Sequence, residues 1–431
     1  MARLALLGGP SVIASPEKPQ RSPFIYGPEK DFVEMFTDYC GCRYAFCFCW
    51  GTAALTASMV AAEIGPGDEV IVPSFTWCAS VNPILHVNGI PVFADVDPKT
   101  YTLDVEDVRR RITSRTKAIL PVDYYGHPAD IPALMKLARA KGLLVIEDAC
   151  QASGAEIHGK KVGALADITA FSFSGKPIAA SSGGVLTTNK LHFYERAMIA
   201  GEHTSFLCLL KDKKLRDYYT PTLGYGYKGR IDYHAATIAI EQLKTLDQRN
   251  DHRIDNCNFL SDAFRQMPGL TPPHVRPGYK HVYHFYTVLY DEKQFGVPRS
   301  LFCDALMAEG LMITNVTDSG NSRLFSGGGD LSIGAIHQRP VFRHKNLYGK
   351  GCPFSCPYAK NVPDYKTLHL PITERLVAQE INFHQRLITP PKTRQDMQTY
   401  IDIFDKVIKN IDEIRKIAPR HKKRYLVTVK R

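Results

Sequence analysis

The sequence has no uninterrupted apolar run of about 18 residues, so a transmembrane helix is not expected. Its opening stretch, MARLALLGGPSVIASPEKPQ, carries one arginine and a short apolar run that glycine and proline soon break. A signal peptide needs a longer apolar stretch and a small-residue cleavage site, so a cytoplasmic protein is expected. No internal repeat is visible. No C-x2-C pair occurs among the eleven cysteines, and their odd number and dispersal do not suit a secreted disulfide framework. The pairs Cys40/Cys42 and Cys47/Cys49 invite a metal reading, but YAFCFCW reads as a buried strand in which thiols pack as small hydrophobes. No metal is expected. Cys352 and Cys356 form a third pair with the wrong spacing. The net charge is +11, much of the excess lying in the terminal RHKKRYLVTVKR. No aromatic–basic platform or helix-turn-helix pattern accompanies that tail, so it reads as solvated and no nucleic acid is expected. A positive cleft that attracts phosphorylated ligands is compatible with the same charge.

What is present is an ordinary globular balance, 44% hydrophobic and 23% charged over 431 residues, enough for a large domain and a smaller one. From residue 31 to about residue 200, amphipathic helical stretches alternate with short apolar strands. The strands are YAFCFCW, EVIVPSF, PVFADVD, KAILPVDYY and LLVIEDA. Strands apolar on both faces and separated by helices predict an α/β fold, a mostly parallel sheet covered by helices. HAATIAIEQLKTLDQRNDHRIDNCNFLSDAF reads as one long bridging helix. HFYTVLYD, SLFCDALMAEG and a helix from Met397 to Ile417 suggest a smaller α+β domain. The expected division is 1–255 for the large domain, with the N-terminal segment, and 256–431 for the small one. The stretch from Ser319 to Lys366 is rich in Gly, Pro and aromatics, and its length favours a functional or interface loop.

In such sheets ligands bind beyond the carboxyl ends of the strands. Those ends carry Trp50-Gly51-Thr52, Ser74-Phe75-Thr76-Trp77, Asp123-Tyr124-Tyr125 and Asp148-Ala149-Cys150-Gln151, which should converge on one cavity. Asp148 ends an apolar strand, where a buried carboxylate is costly unless a cation meets it. A protonated pyridine nitrogen would be such a cation; a helix-capping role is the alternative. Gly51-Thr52-Ala53 opens a helix after a strand, and free amides at a helix N-terminus suit a phosphate. Trp77 stands where it can stack on a ring or pack in the core. Lys176, in FSFSGKPIAASSGG, occupies a Gly/Ser-flanked loop after an apolar strand. Burial there would lower its pKa and make the amine nucleophilic, whereas an exposed loop lysine is the plain alternative.

The run YAFCFCWGTAALTASMVAAEIGPGDEVIVPSFTW, followed by PVFADVDPKTYTLD, TKAILPVDYYGHPADI, VIEDACQASGAEIHGKKVGALADITAFSFSGK and GGVLTTN, resembles the sugar and cyclitol aminotransferases of the DegT/DnrJ/StrS family. HQRPVF and GCPFSCPYAKNVPDY resemble the members that act on inosose-type cyclitols. The resemblance implies a fold-type I enzyme dependent on pyridoxal 5'-phosphate (PLP). It would move an amino group from glutamate or glutamine to a keto sugar or keto cyclitol, with a homodimer sharing its active sites across the interface. By the same resemblance, Lys176 matches the Schiff-base lysine and Asp148 the partner of the pyridine nitrogen. Trp77 matches the ring-stacking aromatic and Gln151 the residue near the cofactor hydroxyl. Thr52 and Ala53, beside Gly51 and helped by Ser172, match the phosphate holders. Lys228 stands where the family usually has an asparagine that reaches the neighbouring subunit's phosphate.

Three positions depart from that pattern: Trp50 replaces the usual serine before Gly-Thr, the stretch from Phe173 to Lys176 is one residue shorter, and Ser182 replaces an acidic residue. Tyr124, Tyr125, His127, His203, His337 and Gln338 are candidates for the substrate pocket. Two other readings accompany the aminotransferase. One is a PLP enzyme with different chemistry, although related dehydratases replace the lysine that this chain keeps. The other is a non-catalytic relative.

Overall fold

The computed structural model describes residues 27–201, 207, 210–219, 226–313 and 335–418. Of the residues singled out above, the N-terminal segment, His203, part of the stretch from Ser319 and the basic tail from Arg420 lie outside the described residues.

Along the large domain run α1 (Pro28–Cys40), β1 (Tyr44–Phe48), α2 (Gly51–Ala61), β2 (Glu69–Pro73), α3 (Cys78–His86), β3 (Ile90–Ala94), α4 (Val105–Arg111), β4 (Thr116–Ile119), α5 (Ile131–Lys141) and β5 (Leu144–Asp148). A ribbon of β6 (Glu156–Ile157) and β7 (Lys160–Lys161) precedes β8 (Ile168–Ser172), β9 (Gly184–Thr188), α6 (Leu191–Gly201), α7 (Lys213–Tyr219), α8 (Tyr233–Lys244) and α9 (Leu246–Phe264). The remainder comprises β10 (Leu270–Thr271), β11 (Tyr279–Lys280), β12 (Phe285–Tyr290), α10 (Glu292–Phe295), α11 (Arg299–Ala308), α12 (Pro340–Arg343), α13 (Pro371–Gln379), β13 (Glu380–His384), α14 (Arg394–Lys409) and α15 (Ile411–Ile417).

The central sheet has seven strands in the order β1-β9-β8-β5-β4-β2-β3. Strands β3, β2, β4, β5 and β8 pair in parallel, and β2, β3, β8 and β9 are buried along their whole length, as a sheet covered on both faces requires. The expected α/β fold is present, with one feature that periodicity does not reveal. β9 runs antiparallel to β8, and β1 antiparallel to β9. Two reversals restore the original sense, so β1 ends on the same edge as β2 and β5. That is why the junction after β1 can lie on the same edge as the other strand ends.

Local chemistry sets several boundaries. Asp130 caps α5 by accepting from Ala133 N, and Gly142 ends it in the left-handed region that a Cβ disfavours. The single bridging helix expected from the sequence is two helices: α8 stops and α9 begins at Thr245, whose φ of −113° leaves the helical range. The terminal helix divides likewise at Asn410. At the second break Asn410 Nδ2 donates back to Lys406 O at 2.8 Å; at the first, Thr245 Oγ1 accepts from the Arg249 side chain at 3.2 Å.

The small domain packs its three-stranded antiparallel sheet, β10-β12-β13, against α9, α11 and α14 around Phe264, Tyr286, Phe302, Phe383 and Phe404. The first buried residue of its core is Cys257. The chain after it does not stay in one domain, however. β11 pairs with β6, and Ile336, Phe342, Phe354, Tyr365 and Leu376 join the core of the large domain. Tyr365 donates to Pro91 O at 2.8 Å, and the amides of Ile372 and Thr373, in the first turn of α13, donate to the Asp95 carboxylate. The described part of the stretch from Ser319 to Lys366 is thus anchored on the large domain.

Candidate active site

The N-terminus of α2 lies over the ends of β8 and β9. Trp50 provides no side-chain cap and no acidic residue occupies the first turn, so the amides of Gly51, Thr52 and Ala53 are left as donors. The approach is close. A Cβ on Gly51 would fall 2.5 Å from Ser172 Cβ and 2.9 Å from Cys150 Sγ; one on Gly184 would fall 2.7 Å from Gly51 N. Only glycine at both positions keeps this helix end open against the sheet. Ser172 ends β8 beneath it, and Thr52 and Ala53 are half-buried at its rim. This donor set fits a phosphate.

Asp148 closes β5 and is buried. Its Oδ2 accepts from Ser80 Oγ at 2.7 Å and its Oδ1 from Cys150 N at 3.1 Å. Among the described residues, no ion pair of Asp148 with an arginine, lysine or histidine is formed. A buried carboxylate held by two donors and no cation fits a ligand that brings its own positive charge, as a protonated pyridine nitrogen does. Behind it, Glu147 accepts from Thr169 at 2.7 Å, and burial pushes its carboxyl up to about 7. Asp123, also buried, is pushed well above the carboxylate range by burial and then by the charge of Glu147.

Lys176 is half-buried in the loop between β8 and β9. Burial pulls its amine below the ordinary lysine range, against the raising influence of Cys150 and Asp148. Its Nζ lies 3.3 Å from Nε2 of His284, a small-domain residue. Trp77 is half-buried at the N-cap of α3, one turn from Ser80. Gln151 Oε1 accepts from Tyr125 N at 2.8 Å, which fixes the amide and leaves its NH2 group for a ligand. Lys228 is exposed, in the left-handed region at φ 54°, on the segment that pairs with the end of β1 through Cys49 N to Gly229 O at 2.6 Å.

Tyr124, Tyr125 and His127 line one small cavity, while His337 and Gln338 lie elsewhere, at the end of β2. Tyr124 and Tyr125 stack at 4.1 Å and are buried, and Tyr125 donates to Glu380 at 2.7 Å. His127 is buried with both ring nitrogens engaged, on Pro128 O at 2.8 Å and Arg276 N at 3.2 Å, and burial lowers it to about 4. Among the described residues no hydrogen bond joins it to Lys176 or Asp148. His337 is buried against the end of β2, 2.7 Å from Ser74 Oγ, and Gln338 beside it is exposed. Three contributors were not singled out from the sequence: Ser80, His284 and Gln385. Ser80 carries a readable signal, one turn after Trp77 on a helix that starts at a strand end. For His284 and Gln385 only the pairing of two distant strands could have shown it.

A lysine amine that burial holds below its ordinary range, a buried carboxylate without a cation and an open helix N-terminus thus lie at one sheet edge of a fold of type I. Residues 20–317 match the DegT/DnrJ/EryC1/StrS aminotransferase family, and the chain belongs to it. It is 30% identical over 406 residues to the L-glutamine:2-deoxy-scyllo-inosose aminotransferase of Streptoalloteichus tenebrarius, covering 91% of this chain and 88% of that one. It is 38% identical over 263 residues to the GDP-perosamine synthase of Caulobacter vibrioides, covering 60% of this chain and 68% of that one. The solved structure of 3-amino-5-hydroxybenzoic acid synthase superposes with a TM-score of 0.72 at 25% identity, over 89% of this chain and 91% of that one. The protein is an aminotransferase.

Proposed function

We propose that this aminotransferase carries an amino group from glutamate or glutamine to a keto sugar or keto cyclitol in a biosynthetic pathway, with PLP held at the β1, β5 and β8 strand ends. The observation that carries the reading is the pairing of Lys176, its amine depressed by burial, with an Asp148 carboxylate that lacks a cation of its own. When bound, the cofactor supplies a carbonyl that accepts the amine and a ring that takes up electrons. The rest is the work of the chain. The α2 amides, with Thr52 and Ser172, hold the phosphate. Asp148, fixed by Ser80 and Cys150 N, keeps a proton on the ring nitrogen. Trp77 covers one face of the ring. Lys176, once free, removes the proton from the donor carbon and returns one at the acceptor, which requires an amine that is partly neutral near the working pH.

Relatives named for both sugar and cyclitol amination support the substrate class. A homodimer belongs to the same reading: exposed Lys228 is then the phosphate ligand of the neighbouring subunit, a point charge in place of an amide. Ten free cysteines among the described residues suit the cytoplasm, where thiols stay reduced. The test is spectral. Glutamate or glutamine added to the PLP-loaded protein should convert the visible band of the cofactor to the pyridoxamine form. A spectrum unchanged by any amino donor refutes the proposal.

A further inference from the structure

The register of the small-domain sheet places two polar side chains against the lysine loop. Phe285 of β12 pairs with His384 of β13, so His284, one residue before, stands across from Gln385, one residue after. Gln385 Nε2 donates to Gly175 O at 2.6 Å, its Oε1 lies 3.4 Å from His284 Nδ1, and His284 Nε2 lies 3.3 Å from Lys176 Nζ. The chain Gly175–Gln385–His284–Lys176 closes on itself, because Gly175 and Lys176 are neighbours. An Nδ1–H bond to Gln385 leaves Nε2 as an acceptor, and an acceptor is what a lysine amine needs.

We propose that His284, held by Gln385, is the positioning residue that receives the amine of Lys176 whenever that amine is not covalently engaged. The proposal rests on Lys176 being the cofactor lysine, as argued above. Because His284 and Gln385 both belong to the small domain, docking of that domain sets where the amine rests. Burial, together with the nearby Lys176, His384 and Arg253, holds the imidazole neutral, well below its ordinary range. The other charged or titratable groups that act with Lys176 are Asp148 and Cys150, at and just after the end of β5, and His384 of β13. A neutral acceptor favours the charged amine that donates to it, so its loss should depress the amine further.

The experiment is the pH dependence of Lys176 acylation, read by peptide mass spectrometry on the full-length chain. It is run once freed of cofactor and once loaded with pyridoxamine phosphate, which engages no lysine covalently. In His284→Phe the apparent pKa of Lys176 should fall by about one pH unit. His284→Gln, which keeps an acceptor near the Nε2 position, should restore the wild-type value. Gln385→Leu, which frees the tautomer, should fall between the two. Equal titration curves for wild type and His284→Phe would overturn the proposal, as would a rise. If His284→Phe does not fold, the Gln385→Leu curve decides, and no shift there is equally fatal. A chain that takes up no pyridoxamine phosphate while its cofactor-free form titrates as stated sinks the functional reading and leaves the role of His284 standing.

Discussion

Ser80 Oγ donates to Asp148 Oδ2 at 2.7 Å, and Thr76 Oγ1 lies 2.9 Å from the same hydroxyl. Since the one Ser80 proton goes to the carboxylate, the Thr76 hydroxyl must donate to Ser80. A turn of α3 thereby orients a carboxylate at the end of β5, and does so without a cation.

Ser80→Ala should weaken PLP binding about tenfold, the loss of one hydrogen bond to a charged group in a buried site. Titration of the cofactor-free protein followed at the visible band measures it. An unchanged affinity would mean that Cys150 N alone orients Asp148.

Lys176→Ala should remove turnover by several orders of magnitude, since the amine acts as a unit with the cofactor. Its denaturation midpoint in urea should be equal to wild type or higher, because a partly buried amine with a depressed pKa adds nothing to folding. A large loss of stability would show that the lysine holds its loop.

Gly51→Ala forces a methyl group against Ser172, whose backbone belongs to β8, and against the Cys150 thiol. A cost of about 1–3 kcal/mol is expected from such overpacking, with cofactor affinity falling as well. Urea unfolding and the same visible titration separate the two effects. Thr52→Ala, which adds no bulk, should lower affinity while leaving stability close to wild type.

Burial pushes Glu380 up to about 7 from its ordinary 4.5, despite the Tyr125 hydroxyl donated to it. Between those values the folded protein holds a proton that the unfolded chain has released, so this group's contribution to stability is present below about 4.5 and fades as pH rises toward 7. His127 and His384, each lowered to about 4, act in the opposite sense. Glu380→Gln isolates the first effect: relative to wild type, it should gain stability between pH 5 and pH 7, read as the urea midpoint at each pH. A difference that does not vary with pH would mean that Glu380 is ionised throughout.

The strand ends were readable because a parallel sheet buries both faces of its strands, and the resulting apolar runs stand out between amphipathic helices. Asp148 was readable for the same reason, as a charge where an apolar run stops. Thr245 and Asn410 were not, because a departure of one residue's backbone from helical angles leaves the hydrophobic spacing almost intact. The return of the chain from Ile336 to Leu376 onto the large domain was also hidden, since apolar residues declare that they will be buried but not against which core.

By itself the sequence determined the order of helices and strands, the glycine that opens α2 after β1, and the positions of Lys176 in a loop after a strand and of Asp148 at the end of one. These follow from periodicity and from the steric and charge properties of single residues. Tertiary structure alone decided that Ser80 would orient Asp148, and that His284 and Gln385, more than a hundred residues from Lys176, would meet its loop. Strand register makes those contacts, and register depends on how both strands pack together rather than on what either one contains.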